Sequence, residues 1–232
     1  MKVGIINMNT NNINCFIKIL KRLGYDYKVI TCYNDYDESK LEINKLIIPG
    51  IGNYKYAMDY LIENNTNRVI KEHLEANKKV LAICIGMQIL TSFGMEGSIS
   101  DTALINGLDI INNTITIKLE CDDILPHIGW NTINLTSSNN YSDKFFNGID
   151  VENSDYYFVH SYVVNFDKDK DKDAVKDTYK DTYKDKLIIG KSHYGNKEFI
   201  SLIKTDNILA LQFHPEKSGQ NGIKLISRFL EW

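Results

Sequence analysis

Residues 79–88 read Lys-Val-Leu-Ala-Ile-Cys-Ile-Gly-Met-Gln, a short apolar strand over Lys79 to Ile83 that ends at a cysteine and leads into a helical pattern from Met87 onward. Similar apolar runs precede this stretch, separated by two segments with the apolar spacing of one helix face. The runs are Lys2 to Asn7, Tyr27 to Ile30 and Lys45 to Ile48, and the helical segments are Ile13 to Leu23 and Met58 to Ala76. Strands and helices that alternate with short connections predict an α/β fold with a doubly wound, mostly parallel sheet.

The second half of the chain, from about Gly107, predicts shorter strands joined by turns and a closing helix. The strands are Ile115 to Leu119, Asn131 to Leu135, Tyr156 to Val164, Leu187 to Ile189, Phe199 to Ile203 and Leu209 to Phe213, and the helix is Gly222 to Trp232. We expect antiparallel additions to the same sheet and one domain over residues 1–232. Asp167 to Lys186 is an exception, because it holds seven Asp and seven Lys in twenty residues. It predicts a solvated insertion, or else a charged docking loop.

The composition is that of a globular protein, with 43% hydrophobic and 25% charged residues among 232. A formal net charge of -3 argues against nucleic-acid binding, which needs a basic face. No apolar run approaches the roughly 20 residues that span a bilayer, and the N-terminal sequence lacks a signal-peptide layout. The four cysteines form no Cys-x-x-Cys pair, which argues against a zinc site or a disulfide scaffold. We therefore expect a soluble cytoplasmic protein without a metal, a cofactor or a membrane partner.

Cys84 lies at the predicted strand-to-helix junction, with Ala82 two residues before it and Gly86 two residues after it. This spacing resembles a nucleophile elbow with sulfur in place of oxygen. A nucleophile on so sharp a turn has a strained backbone, so the residues two positions away must be small. The N-terminus of the following helix would favour the thiolate. The alternative interpretation is an inert cysteine buried beneath a sheet.

Two further motifs also follow predicted strands. In Gln212-Phe-His-Pro-Glu216, His214 could accept the thiol proton and Glu216 could orient the imidazole. In Pro49-Gly-Ile-Gly52, the backbone amides around Gly50, Ile51 and Gly52 could form an oxyanion hole. Each motif alone is a weak signal, but the carboxyl ends of parallel strands meet at one edge of a sheet. Together they predict a triad of Cys84, His214 and Glu216.

These motifs, in this order, resemble those of the class I glutamine amidotransferases, and more narrowly those of the glutaminase subunit of imidazole glycerol phosphate synthase. The resemblance runs nearly end to end and implies the flavodoxin-like fold of that family. It rests on Pro49-Gly-Ile-Gly, Cys84-Ile-Gly-Met-Gln88, Pro126-His-Ile-Gly-Trp-Asn131, Tyr157-Phe-Val-His-Ser-Tyr162 and Gln212-Phe-His-Pro-Glu-Lys-Ser218.

The resemblance implies that Cys84 attacks the side-chain amide of glutamine and releases ammonia. It also implies a heterodimer with a (β/α)₈ cyclase/synthase subunit that uses the ammonia to make imidazole glycerol phosphate and AICAR in histidine biosynthesis. The substrate-binding positions it implies are Gly52, Gln88, His160, Ser161 and Tyr162, and the partner-facing positions are Trp130, Asn131, Tyr157 and Lys217. The spacing agrees for Gln88, which is one helical turn after Cys84 and on the same face.

Three departures from the family pattern keep other acceptors open, and one of them is the charged insertion at Asp167 to Lys186. Residues 7–12 read Asn-Met-Asn-Thr-Asn-Asn where relatives usually have Asp-Tyr-Gly-x-Gly-Asn, and Ala82 replaces a usual glycine. A related amidotransferase that supplies ammonia to a sugar-modifying enzyme of surface-polysaccharide biosynthesis is therefore the alternative. Hypotheses from other classes are a non-catalytic regulatory domain, which the intact triad argues against, and a cysteine peptidase, which would need an open substrate cleft.

Overall fold

The computed structural model describes residues 2–9, 13–98, 100, 103–136, 144–166 and 187–232. The charged insertion predicted at Asp167 to Lys186 lies outside these residues. Within the described ranges the chain forms a twelve-stranded sheet, a separate two-stranded sheet and six α-helices.

The amino-terminal half builds the parallel part of the large sheet, with one strand added from the end of the chain. Its strands are β1 (Lys2–Ile6), β2 (Asp26–Ile30), β3 (Ile43–Ile48), β4 (Lys79–Ile83) and β14 (Ile208–Leu211). They lie in the order β2-β1-β3-β4-β14, and every pairing among them is parallel. The central strands are almost fully buried, as expected when helices cover both faces of a parallel sheet. The predicted doubly wound α/β fold is confirmed.

The helices of this half are α1 (Ile13–Leu23), α2 (Tyr33–Asp37), α3 (Tyr54–Glu63), α4 (Thr66–Glu75) and α5 (Ile85–Gln88). The single helix predicted over Met58 to Ala76 is wrong, because Asn65 has a φ of 55° and separates α3 from α4. Asparagine is one of the few residues that tolerate this left-handed conformation. The helical pattern predicted from Met87 onward is also wrong, because α5 begins at Ile85. This helix ends at Gln88, whose carbonyl accepts a hydrogen bond from Thr91 Oγ1 at 2.7 Å, and a strand follows.

The second half extends the large sheet mainly by antiparallel pairing, as predicted. The order beyond β14 is β13 (Lys197–Lys204), β11 (Tyr162–Phe166), β7 (Ile111–Lys118), β5 (Thr91–Gly94) and β6 (Ile105–Asn106). Of these neighbours, only β5 and β7 pair in parallel. The strand β12 (Ile188–Tyr194) pairs with β13 and with β9 (Asn134–Leu135).

The strands β8 (His127–Asn131) and β10 (Tyr156–His160) pair with each other instead, as a separate antiparallel ribbon. The strand predicted over Tyr156 to Val164 is therefore split at Ser161, where the chain leaves the ribbon and enters β11. The ribbon is fixed to the loop after β14, because the Tyr157 carbonyl accepts a hydrogen bond from the His214 N–H at 2.8 Å.

A closing helix, α6 (Gly219–Glu231), follows that loop and buries four side chains in the core: Leu225, Ile226, Phe229 and Leu230. Gly222 lets this helix approach the preceding turn, because a Cβ there would lie 1.8 Å from the Pro215 carbonyl oxygen. None of the helices in the described ranges has both the length and the apolar content to cross a membrane.

Candidate active site

The three sequence motifs meet at one edge of the large sheet. Pro49 follows β3, Cys84 follows β4 and Gln212 follows β14, and β4 lies between the other two strands. Because these strands are parallel, their carboxyl ends are side by side, which is where ligands bind in doubly wound sheets. Residues far apart in sequence therefore reach one place, as the hydrogen bond between Gln212 and Cys84, which are 128 positions apart, demonstrates.

Cys84 has the backbone of a nucleophile elbow. Its φ is 51° and its ψ is −108°, a strained conformation for a non-glycine residue and one that is concentrated at functional sites. Its N–H donates to the Leu211 carbonyl at 2.7 Å, which fixes the turn to β14. No residue larger than glycine fits at position 86, because a Cβ on Gly86 would lie 2.0 Å from the Ile48 carbonyl oxygen. The helix after the cysteine has only four residues, so it contributes less to thiolate stability than the sequence predicted.

His214 and Glu216 form a buried pair beside the sulfur. Nδ1 of His214 donates to Glu216 Oε1 at 2.8 Å, and neither side chain is exposed. Nε2 is buried without a hydrogen-bond partner within the described part of the chain, and Cys84 lies close enough to influence the charge of the ring. Burial acts to lower the pKa of His214, but the interactions with Cys84 and Glu216 outweigh it and raise this pKa. The imidazole is thus placed to take the thiol proton.

A cavity of about 240 Å³ opens directly onto Cys84. Gln88 lines it and is almost fully buried, and its Nε2 donates to the Tyr162 carbonyl at 2.9 Å. Gln88 Oε1 is buried without a hydrogen-bond partner among the described residues, which leaves one acceptor for a ligand. The remaining lining residues are Ile51, Gly52, Ile85, Glu96, Pro126, Val159, His160, Ser161 and Tyr162. The cavity therefore gathers all five predicted substrate-binding residues.

The predicted oxyanion segment borders the same cavity through Ile51 and Gly52. Gly50 is packed against the elbow, because a Cβ on it would lie 2.8 Å from Ile85 Cβ and 3.0 Å from the Gly86 nitrogen. Gly52 has a φ of 120°, which L side chains rarely adopt, and nothing surrounds its Cβ position. Conformational freedom in this segment therefore lies at Ile51 and Gly52 rather than at Gly50.

The family model for glutamine amidotransferase class-I matches residues 5–232. The chain belongs to this family. A protein of Methanocaldococcus jannaschii named imidazole glycerol phosphate synthase subunit HisH is 37% identical over 229 residues, which cover 99% of this chain and 98% of the relative. Imidazole glycerol phosphate synthase hisHF of Emericella nidulans is 30% identical and matches 99% of this chain with 38% of its own length. The crystal structure of a glutamine amidotransferase from Thermotoga maritima has the same fold, with a TM-score of 0.58, 14% identity, and coverage of 100% of this chain and 83% of the other.

Glu96 is a cavity residue of this amidotransferase that sequence reasoning missed. Its Oε2 accepts a hydrogen bond from the Tyr54 N–H at 2.8 Å, at the start of α3. Burial raises the pKa of Glu96 although this hydrogen bond acts to lower it. No motif marks the residue, because Met95-Glu-Gly97 resembles any surface turn. Only the pairing of β5 with β7 and the packing of its turn on α3 bring Glu96 to the amidotransferase site.

His160 reaches the amidotransferase cavity as half of a histidine pair. Its Nε2 is 3.1 Å from Nδ1 of His127, and the two residues are directly opposite each other in the ribbon. His127 stacks on Tyr194 with ring centroids 4.0 Å apart. Burial lowers the pKa of His127 to about 4 and that of His160 to about 3, so both rings are neutral near pH 7. His160 therefore contributes neutral hydrogen-bonding capacity to the site rather than charge.

The predicted partner-facing residues lie around the outer face of the ribbon. The Trp130 and Tyr157 rings meet edge to face with centroids 5.9 Å apart, and Lys217 Nζ lies 5.8 Å from the Tyr157 ring centroid. Trp130 is 58% exposed, as is Ile128 on the same strand face. Asn131 differs, because its side-chain amide donates to the His193 carbonyl at 2.7 Å and supports the turn after β8.

Metal binding has no support in the part of the chain that the structure describes. No three His, Cys, Asp or Glu side chains lie close enough together there to hold an ion.

Proposed function

We propose that this chain is the glutaminase subunit of imidazole glycerol phosphate synthase, which hydrolyses glutamine and supplies ammonia for histidine biosynthesis. The observation that carries the proposal is the buried His214, which bonds Glu216 through Nδ1, leaves Nε2 free of other hydrogen bonds among the described residues, and interacts with Cys84 at the wall of the cavity. The similarity to HisH proteins over nearly the full chain supports the same function, and it favours histidine biosynthesis over the surface-polysaccharide alternative.

The reaction begins when the Cys84 proton moves to His214 Nε2 and the sulfur attacks the amide carbon of the glutamine side chain. The carbonyl oxygen becomes an oxyanion, which N–H groups of residues 50–52 stabilise. His214 then protonates the leaving nitrogen, the C–N bond breaks, and ammonia departs from a glutamyl thioester. A water molecule, deprotonated by His214, attacks the thioester and releases glutamate and the thiol. Glu216 keeps the proton on Nδ1 throughout and stabilises the imidazolium.

The polar groups of the cavity can bind the α-ammonium and α-carboxylate groups of an amino acid substrate. An α-ammonium group carries three N–H donors, and the cavity offers the Glu96 carboxylate and Gln88 Oε1 as acceptors. An α-carboxylate needs donors, and the lining residues Ser161 and Tyr162 each carry a hydroxyl group that can donate. His160 and Gly52 complete the enclosure. We therefore place glutamine with its amide at Cys84 and its ammonium at Glu96.

The ammonia acceptor is a (β/α)₈ synthase subunit bound on the outer face of the ribbon. Val159 belongs to both features, since it lines the cavity and pairs with exposed Ile128 in the ribbon. A partner on this face would cover the route out of the cavity and limit loss of ammonia to water. The partial match to the longer hisHF protein supports a synthase that joins the two activities. We place the complex in the cytoplasm, which agrees with four unpaired cysteines.

The test is the replacement Cys84→Ala in the complex with the synthase subunit. Glutamine-dependent synthesis should be abolished and ammonia-dependent synthesis should remain, because the synthase reaction does not need the thiol. Matched controls are Cys15→Ala, Cys32→Ala and Cys121→Ala, which should leave both activities nearly unchanged. Glutaminase activity in Cys84→Ala would rule out this nucleophile. Turnover of a peptide panel in place of glutamine would favour a peptidase, and no turnover of either substrate would favour a non-catalytic domain.

A further inference from the structure

We propose that Gln212 donates a hydrogen bond to the Cys84 sulfur and stabilises the negative charge that the sulfur carries once its proton has moved to His214. The inference rests on the proposed role of Cys84 as nucleophile, and it gives a role to a residue outside the triad. Gln212 Nε2 lies 3.6 Å from Cys84 Sγ, and the glutamine side chain is completely buried at the end of β14. Its amide therefore touches the reacting atom.

The direction of this hydrogen bond follows from a chain of hydrogen bonds that begins at the Tyr162 carbonyl and reaches Gln212 through Gln88. The Tyr162 carbonyl can only accept, so the group of Gln88 that bonds it at 2.9 Å must be the NH₂. The same NH₂ lies 3.1 Å from the Gln212 amide, which must therefore present its oxygen there. The Gln212 NH₂ then points at the sulfur. The alternative orientation would place two NH₂ groups against each other and would leave the sulfur facing an oxygen.

The surroundings of the sulfur make this donor important. Sγ also lies 4.0 Å from the Val159 carbonyl oxygen, which can accept from a thiol but would repel a thiolate. Once the proton has moved to His214, the sulfur carries the electron pair and needs donors. Gln212 N–H supplies one and the His214 imidazolium supplies the charge. Hydrogen bonds to charged groups are about twice as strong as those between neutral groups.

The arrangement also links the thiolate to the substrate cavity. Gln88 stands between the two, with Nε2 on Gln212 and the unpaired Oε1 in the cavity region. A cationic donor on Oε1 would polarise the Gln88 amide and strengthen its N–H bond to Gln212, and in turn the bond from Gln212 to the sulfur. Occupation of the cavity would thereby favour the reactive state of the nucleophile.

The experiment measures the sulfur directly, by the rate of Cys84 alkylation with iodoacetamide as a function of pH. The background is the full chain with Cys15, Cys32 and Cys121 replaced by serine, so that one thiol remains. Gln212→Met keeps the length of the side chain and removes the donor. We expect the midpoint of the profile to move to higher pH by about one unit and the rate at pH 7 to fall about tenfold. The matched control is Ser201→Ala, which removes another fully buried polar group near β14 without a contact to the sulfur.

An unchanged midpoint in a folded Gln212→Met protein would overturn the inference, as would an equal shift in Ser201→Ala. If Gln212→Met does not fold, Gln88→Met serves instead. It leaves Gln212 in place but removes the group that orients its amide, so a smaller shift in the same direction is expected and an unchanged midpoint contradicts it. Failure of the proposed nucleophile would be visible separately, as glutamine turnover by Cys84→Ala.

Discussion

At the scale of single residues, the site depends on positions where either the size of the side chain or the backbone conformation is tightly restricted. Gly86 lies against the Ile48 carbonyl oxygen, and Cys84 has a strained backbone that its hydrogen bond to Leu211 maintains. The strain aims the sulfur at the cavity instead of into the sheet. Such strain costs about 1–3 kcal/mol, which the neighbouring buried strands must offset.

Glu96 supplies a negative charge to the cavity and accepts a hydrogen bond at the start of α3, and two variants should distinguish these roles. Glu96→Gln keeps an oxygen for the Tyr54 N–H but loses the charge, so the KM for glutamine should rise at least tenfold while kcat changes little. Glu96→Ala also loses the hydrogen bond at the start of α3 and should lower kcat as well, because the oxyanion segment precedes that helix. The control is Asn53→Ala, which removes the neighbouring bond from Tyr56 N–H to Asn53 Oδ1 without changing the charge in the cavity. A KM unchanged in Glu96→Gln would contradict the ammonium site.

At the scale of elements, the ribbon of β8 and β10 connects the cavity to the surface. It carries His160 and Val159 on the cavity and Trp130 on the outside, and the bond from Tyr157 N–H to Ser218 Oγ at 2.9 Å fixes it to the loop of His214. Ser218 in turn donates to the His214 carbonyl at 2.7 Å. A partner that moves the ribbon would therefore act on both the substrate wall and the catalytic histidine.

Trp130→Ala should weaken binding of the synthase subunit about tenfold or more, because a large exposed aromatic at the centre of an interface is a frequent hot spot. The measurement is the Kd of the complex by titration calorimetry. Leu41→Ala is the control, since Leu41 is 90% exposed and lies before β3, at the opposite edge of the sheet from the site. Equal losses of affinity in both variants would place the interface elsewhere.

At the scale of the whole molecule, three buried neutral histidines make stability depend on pH. Burial lowers the pKa from the ordinary histidine value of 6.5 to about 4 in His73 and His127 and to about 3 in His160. The unfolded chain therefore binds more protons below pH 6.5, and the stability present above that pH falls as the pH drops toward 4. His214 opposes this trend only around pH 6.5, where the unfolded imidazole is still taking up a proton that the folded chain already holds, and well below that pH it is protonated in both states.

We expect the free energy of unfolding to fall between pH 7 and pH 5, where most carboxylates remain ionised. Each pH unit below 6.5 corresponds to about 1.4 kcal/mol per histidine. His73→Gln removes one of these groups far from the cavity and should reduce the slope by about one third. Urea unfolding at several pH values measures it, and a flat dependence in the unmodified chain would show that the histidines titrate normally.

Activity also belongs to the whole complex, and we expect glutamine turnover to rise in steps from the free chain to the complex and to the complex with an acceptor analogue. Only an N–H directed at the site stabilises the oxyanion, and losing one such donor costs about 100- to 1,000-fold. Gly52→Ala disfavours the φ of 120° and should reduce the activation ratio, whereas Gly50→Pro would collide with the elbow. Equal rates in all three states would exclude a switch at this segment.

The sequence by itself determined the features that are local. Continuous apolar runs, separated by helical segments, define the parallel strands, because a strand that is buried on both faces must be apolar along its whole length. The sharp turn at Cys84 is encoded by the five residues from Ala82 to Gly86. The pairing of an imidazole with a carboxylate is encoded by the three residues from His214 to Glu216. These patterns were sufficient for the α/β fold and for the candidate triad.

Only the tertiary structure decided the contacts between distant segments. Glu96 reaches the cavity through the packing of a turn on α3, and Gln212 reaches Cys84 because β14 pairs with β4 across 128 positions. The break at Asn65 and the division at Ser161 likewise depend on which neighbour each segment finds. Such contacts leave no periodic or spacing signal in the sequence, because the residue type at a buried polar position depends on the group it contacts in the fold and not on its neighbours in the chain.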